Sequence, residues 1–87
     1  MDFQRKIIMQ NDKVKVIQVG ENEYEVFSFS TRNEDGIVSS DWHFLYHCTN
    51  YYMRDWLGRT CSKHYNPNNE PNFAYEEALR LANSQCA

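Results

Sequence analysis

The chain has no long apolar run: nowhere do more than three apolar side chains follow one another. A secretory signal needs an apolar core of about 7–15 residues, and a transmembrane helix needs about 20. The sequence therefore excludes both kinds of segment, and no transit peptide fits it either. From the sequence alone we expect a cytoplasmic protein.

Cysteine and glycine are both scarce. The only cysteines are Cys48, Cys61 and Cys86, and without a secretory context they are expected to be free thiols. The chain has just three glycines, each placed where a turn is expected, so a glycine-rich phosphate-binding loop is excluded.

A surplus of basic residues is also missing. Nine Lys and Arg face twelve Asp and Glu, giving a net charge of −3. Non-specific nucleic-acid binding usually depends on a basic surplus, which makes that class less favoured. The carboxylates are also too few for a protein that imitates DNA. A short chain buries little surface on folding, but the aromatic content of 15% increases the buried area, because each ring can bury about 150–250 Å².

Alternating side chains and turn signals predict an α+β fold in one domain over residues 1–87. We expect a three- to four-stranded antiparallel meander, then a short helix, then a C-terminal helix packed on the sheet. The strands are predicted at 13–19, 23–31 and 37–48, with 3–9 as a less certain edge strand, and the helices at 50–57 and 73–85. Gly20–Asn22 and Asn33–Gly36 supply the turns between strands.

Residues 42–48 alternate strictly, which predicts a strand with two different faces. Trp42, Phe44, Tyr46 and Cys48 share one face, and His43, Leu45 and His47 share the other. The simplest hairpins place Ile17 opposite Glu25 and Phe27 opposite Trp42.

These registers sort the sheet into two apolar faces. The expected core face, covered by the C-terminal helix, holds Ile17, Val19, Phe27, Phe29, Trp42, Phe44 and Tyr46. The second face holds Val14, Val16, Tyr24, Val26, His43, Leu45 and His47. A solvated sheet face should be mostly polar. Either the short helix or the N-terminal segment covers this second face, or it docks a partner protein or a second copy of the chain.

The polar loop at 59–72 is longer than a connection between two helices requires, and such loops often carry recognition. Together with the second face it gives our predicted partner-binding residues: Tyr24, His43, Leu45, His47, Arg59, Lys63, His64 and Tyr65.

A zinc site is a weaker hypothesis. His43 and His47 would lie about 13 Å apart on a strand, too far to share one ion. A site built from Cys48, Cys61 and His64 remains an alternative because the loop can fold back. We predict no cofactor.

Catalysis finds little support. Cys61 with His64 has no orienting carboxylate or oxyanion hole, and Cys48 and His47 point to opposite faces of a strand. We therefore expect a non-enzymatic protein.

The leading hypothesis is a small regulator or inhibitor that binds a larger cytosolic protein. Short, acidic, single-domain chains are common among regulators and among inhibitors encoded by phages or mobile elements. The alternatives are the zinc-stabilised module and a module for single-stranded nucleic acid. The nucleic-acid module would use basic residues in the second half of the chain that are interleaved with aromatic ones: Arg54, Arg59, Lys63 and Arg80.

Overall fold

The computed structural model describes residues 3–61 and 70–86, with only the backbone of Cys86. Five antiparallel strands form one sheet in the order β1-β2-β3-β4-β5, and one helix follows. The elements are β1 (Lys6–Gln10), β2 (Val14–Gly20), β3 (Glu23–Glu34), β4 (Ile37–Thr49), β5 (Met53–Asp55) and α1 (Phe73–Cys86). The predicted α+β class, antiparallel sheet and C-terminal helix are confirmed, but the sheet has five strands where three or four were predicted. β1 overlaps the predicted edge strand at 3–9.

The turn between β3 and β4 is tighter than expected. Asp35 and Gly36 form a two-residue turn in which both have positive φ, 53° and 82°. This is the conformation that matches the twist of flanking strands. Phe29, and not the predicted Phe27, therefore lies opposite Trp42. The predicted pairing of Ile17 with Glu25 between β2 and β3 is confirmed.

The tight turn makes the β3–β4 hairpin longer than the rest of the sheet. β2 pairs with β3 only as far as Ser28, and residues 29–42 continue as a two-stranded extension that we call the arm. The molecule is consequently 48 Å long against 30 and 24 Å in its other dimensions. Ile37 and Val38 at the tip are 71% and 64% exposed.

A β-bulge in β4 breaks the strict alternation on which the face assignment depended. Val26 lies opposite Tyr46, but its neighbour Phe27 lies opposite Phe44, so Leu45 has no partner. An unpaired residue reverses the face of everything beyond it. Trp42 and Phe44 therefore share one face, whereas Tyr46 and Cys48 share the other. His43 and His47 lie on opposite faces, contrary to the prediction.

The C-terminal helix covers the second face, for which the sequence left two options: a cover formed by the short helix or the N-terminal segment, or an open docking surface. Val14, Val16 and Val26 are fully buried beneath α1, and Tyr24 is only 8% exposed. The core continues through Cys48, Met53, Ala74, Ala78, Leu81 and Ala82. The predicted division into core face and docking face is wrong: the smaller apolar residues form the core, and the aromatic face is left open.

The predicted helix at 50–57 is also wrong, because two side chains bind the local backbone instead. Thr49 Oγ1 accepts hydrogen bonds from the N–H groups of Tyr51 and Tyr52, both at 3.2 Å. Asp55 Oδ1 accepts from the N–H groups of Leu57 and Arg59, at 2.9 and 3.0 Å. Such bonds favour turns over helices. The segment between them forms β5, paired with the end of β4.

Asn50 takes part in starting α1. The N–H of Ala74 donates to Asn50 Oδ1 at 3.1 Å, and Asn50 Nδ2 donates to the carbonyl of Pro71 at 3.2 Å. The side chain thus satisfies a helix N–H that has no intrahelical acceptor. Within the described part of the chain, no helix is long and apolar enough to cross a membrane.

Candidate protein-binding face

The sheet face opposite α1 carries two pairs of aromatic rings. Phe27 and Phe44 are cross-strand neighbours with ring centroids 5.8 Å apart, and Phe29 and Trp42 form a second pair at 5.3 Å. Both pairs meet edge to face, with interplanar angles of 66° and 65°, a favourable arrangement for aromatic rings. We call these four residues the aromatic ladder.

Much of the ladder remains accessible to solvent. Phe29 is 42% exposed and Phe44 36%, while Phe27 and Trp42 are half-buried. Ile7, on the neighbouring edge strand, is 57% exposed and lies opposite Ile17. Exposed apolar side chains grouped on one sheet face often mark a binding site.

Lys15 extends over the ladder from β2. Its Nζ lies 4.5 Å from the centroid of Trp42 and 5.4 Å from that of Phe27. A cation at this distance is attracted to the ring faces, by about 0.5–1 kcal/mol at an exposed site. The lysine therefore places one positive charge on an otherwise apolar surface.

Two carboxylates and a histidine lie on the same face, further from the arm. His47 Nδ1 is 3.1 Å from Glu25 Oε2, and His47 Nε2 is 3.4 Å from Glu23 Oε2. The two carboxylates lie beside different ring nitrogens, and only the contact between Nδ1 and Glu25 meets hydrogen-bond geometry. Glu23 and Glu25 make this end of the face acidic.

A shallow depression of about 400 Å³ adjoins this acidic end. It lies where the β2–β3 turn meets the β4–β5 turn, and its lining includes Glu21, Glu23, Tyr51 and Tyr52. The guanidinium of Arg54 lies 4.6 Å from the Tyr52 ring centroid. In the described ranges this depression contains no cysteine or histidine, so it offers no nucleophile with an adjacent base.

The predicted binding residues do not come together in the structure. Tyr24 is in the core, where its ring packs against Tyr75 at 5.7 Å. His43 is half-buried opposite Ser28 on the helix-covered side, and its Nε2 has no hydrogen-bond partner among the described residues. Leu45 is the half-buried bulge residue, and only His47 lies on the open face.

The remaining predicted residues belong to the polar loop. Arg59 is exposed and pairs with Asp55 at 3.6 Å. Lys63, His64 and Tyr65 lie outside the described residues. Of the four binding residues predicted in this loop, the structure describes only Arg59.

The zinc alternative is disfavoured at Cys48. This thiol is fully buried, and burial raises its pKa to about 12, with further contributions from Glu77 and Cys61. Zinc binds the thiolate, which is the form that burial disfavours. Cys48 and Cys61 are free thiols, and the third predicted ligand, His64, lies outside the described residues. No group of three metal ligands occurs within 3–61 and 70–86.

The aromatic ladder was missed as a surface because large rings were assigned to the core. The sequence of the helix did carry a signal for which face it covers. Its buried side consists largely of Ala74, Ala78 and Ala82, and so small a surface can approach a sheet closely only where the sheet side chains are also small. The valines meet that requirement, whereas four aromatic rings would hold the helix away.

Comparison with known family models, with curated proteins and with solved structures finds no match to this chain. The functional interpretation therefore depends on the geometry of the open face.

Proposed function

We propose that this chain is a non-enzymatic protein-binding domain, a regulator or inhibitor that engages a larger partner through the open sheet face. The aromatic ladder carries this proposal. Aromatic residues are enriched at the centres of protein interfaces, where a few of them supply most of the binding energy. Phe29 and Phe44 offer such anchors while remaining accessible, at 42% and 36% exposure.

The charges around the ladder define the chemistry of the partner. Lys15 lies beside the rings, and the Glu23–His47–Glu25 group lies at the end remote from the arm. A matching surface would be apolar in its centre, with a basic side chain facing the two glutamates. Complementary charges of this kind set orientation and association rate more than affinity.

The proposal is tested with a double variant, Phe29→Ser with Phe44→Ser. Proteins captured by the wild-type chain are identified and purified, and their affinities are then measured by calorimetry with both forms. The double variant should raise the Kd at least about 30-fold, the effect of losing a single hot spot of roughly 2 kcal/mol. Circular dichroism establishes that the variant is folded.

Tyr75→Ser is the matched control. Tyr75 is 40% exposed, comparable to Phe29, but it belongs to the helix on the other side of the sheet. This variant should bind within about threefold of wild type. Equal Kd values for wild type and the double variant would refute the proposal.

A single-stranded nucleic-acid module is the second candidate, because exposed rings beside a lysine resemble a base-stacking surface. Glu23 and Glu25 on the same face oppose phosphate, and two of the predicted basic residues, Arg59 and Arg80, pair with carboxylates. Binding of single-stranded oligonucleotides that falls steeply with salt would favour this candidate. Absence of binding at low salt would eliminate it.

A further inference from the structure

The outer edge of β4 is unpaired along the arm. β5 pairs only with Tyr46–Cys48, and among the described residues no strand pairs with the outer side of residues 37–45. A free edge presents backbone N–H and C=O groups that can pair with another chain.

The backbone groups that point outward can be identified. The N–H of Phe29 donates to the carbonyl of Lys13, on the β2 side, so it points away from β4. Phe29 and Trp42 are therefore a non-hydrogen-bonded pair, and the N–H and C=O of Trp42 also point outward. By the alternation of the strand, Ser40 and Phe44 present their backbone groups on the same edge.

From Ile37 to Phe44 this edge lacks most of the features that usually prevent pairing, and the β4 bulge at Leu45 lies at its end. Residues 37–44 contain no proline, glycine, lysine or arginine, and Asp41 is their one carboxylate. The other free edges are protected. β1 is short, begins with Lys6 and contains an irregularity between Ile7 and Met9. The outer edge of β3 in the arm carries Arg32 and Glu34. Short strands, charges and bulges are the common means of blocking an edge.

We infer that the outer edge of β4 pairs antiparallel with the same edge of a second copy of this chain. A two-fold axis perpendicular to the sheet relates identical strands in this way. The charges of the strand select the register. An axis at Trp42 places each Asp41 opposite His43 of the second copy, whereas an axis at Asp41 would place two carboxylates against each other. Two carboxylates that face each other destabilise a sheet, whereas an imidazole N–H can donate a hydrogen bond to a facing carboxylate.

One contact within the single chain must be exchanged. The Trp42 N–H donates to Oδ1 of the preceding Asp41 at 2.7 Å. On pairing, this outward N–H donates instead to the Trp42 carbonyl of the second copy, and the carboxylate turns to the facing imidazole. The open aromatic face is not consumed by this edge pairing, so the inference is independent of the proposed function.

The test compares two proline variants by sedimentation equilibrium. Ser40→Pro removes an N–H from the proposed interface. Thr31→Pro removes an outward N–H from the opposite edge of the arm. Both lose the same Thr31–Ser40 hydroxyl contact of 2.7 Å. We expect the wild type and Thr31→Pro to have twice the 10.4 kDa chain mass. Ser40→Pro should dimerise at least about tenfold more weakly.

A monomeric wild type would overturn the inference, leaving the edge to a different chain. Equal effects of the two prolines would overturn it as well, because the interface would then lie elsewhere. Asp41→Asn tests the register. It should weaken dimerisation if Asp41 faces His43, and a stronger dimer would show that the axis passes through Asp41 instead.

Discussion

Asn50 Oδ1 accepts a hydrogen bond from the N–H of Ala74, 24 residues further along the chain, at 3.1 Å. This bond joins the turn after β4 to the first turn of α1. Because the same amide also donates to Pro71, Asn50 holds the start of the helix over the valine side of the sheet. Which face of the sheet α1 covers thus depends partly on one polar contact between two residues that are far apart in the sequence.

Replacing Asn50 with alanine should destabilise the protein by about 1 kcal/mol, the usual cost of removing a helix-capping side chain. Urea unfolding monitored by circular dichroism measures the change. Asn83→Ala serves as the control, because Asn83 lies within α1 itself and its side chain is exposed. That variant should remain within about 0.5 kcal/mol of wild type. Equal losses in the two variants would mean that Asn50 has no capping role.

The buried thiol of Cys48 predicts a loss of stability in alkali. Burial raises its pKa from 9.0 to about 12. Above pH 9 the unfolded chain releases this proton while the folded chain retains it, so unfolding becomes easier as the pH rises. The slope approaches about 1.4 kcal/mol per pH unit for one group. Burial also raises the pKa of Tyr24, and this shift adds to the loss of stability at high pH.

Cys48→Ala should therefore show a shallower decline of unfolding free energy between pH 9 and 12 than the wild type. Val14→Ala is the control: it also truncates a fully buried side chain, but one that does not titrate, and it should keep the wild-type slope. Parallel curves for the wild type and Cys48→Ala would contradict the burial of this thiol.

The arm should unfold locally before the rest of the molecule, because a two-stranded hairpin has little stability of its own. Gly36→Val places a β-branched residue at a φ of +82°, which costs on the order of 1–2 kcal/mol. We expect faster amide exchange for Arg32 and Ser39, whose N–H groups face each other's strand, and an unchanged rate for Val26. Asp35→Asn, which tolerates positive φ, should leave the arm intact. Accelerated exchange at Val26 would show that the arm is not independent.

Much of the fold follows from local signals. The β2–β3 register depended on a short turn and on alternation, and it was predicted correctly. The C-terminal helix was identified from its apolar spacing. The false helix at 50–57 had comparable spacing, but hydrogen bonds from Thr49 and Asp55 to nearby N–H groups stabilise turns instead. Spacing alone does not reveal that competition.

The four ladder residues were predicted to share a face, but this face was predicted to be the one that the helix covers. One bulge also changed the phase of β4. With Leu45 unpaired, Trp42 and Tyr46 lie on opposite faces although four residues separate them. Size also misled the prediction, since aromatic rings are the usual core residues. Which face a helix covers depends on the fit of side chains across the interface. Here three alanines fit three valines.

The most direct measurement compares the unfolding free energies of Val26→Ala and Phe29→Ala in urea. These residues lie on the same strand and on opposite faces, with 0% and 42% exposure. If the helix covers the valines, Val26→Ala should cost about 2–3 kcal/mol. Phe29→Ala should cost only about 1 kcal/mol, although it removes the larger side chain. A greater loss from Phe29→Ala would place the aromatic ladder in the core and remove the proposed binding face.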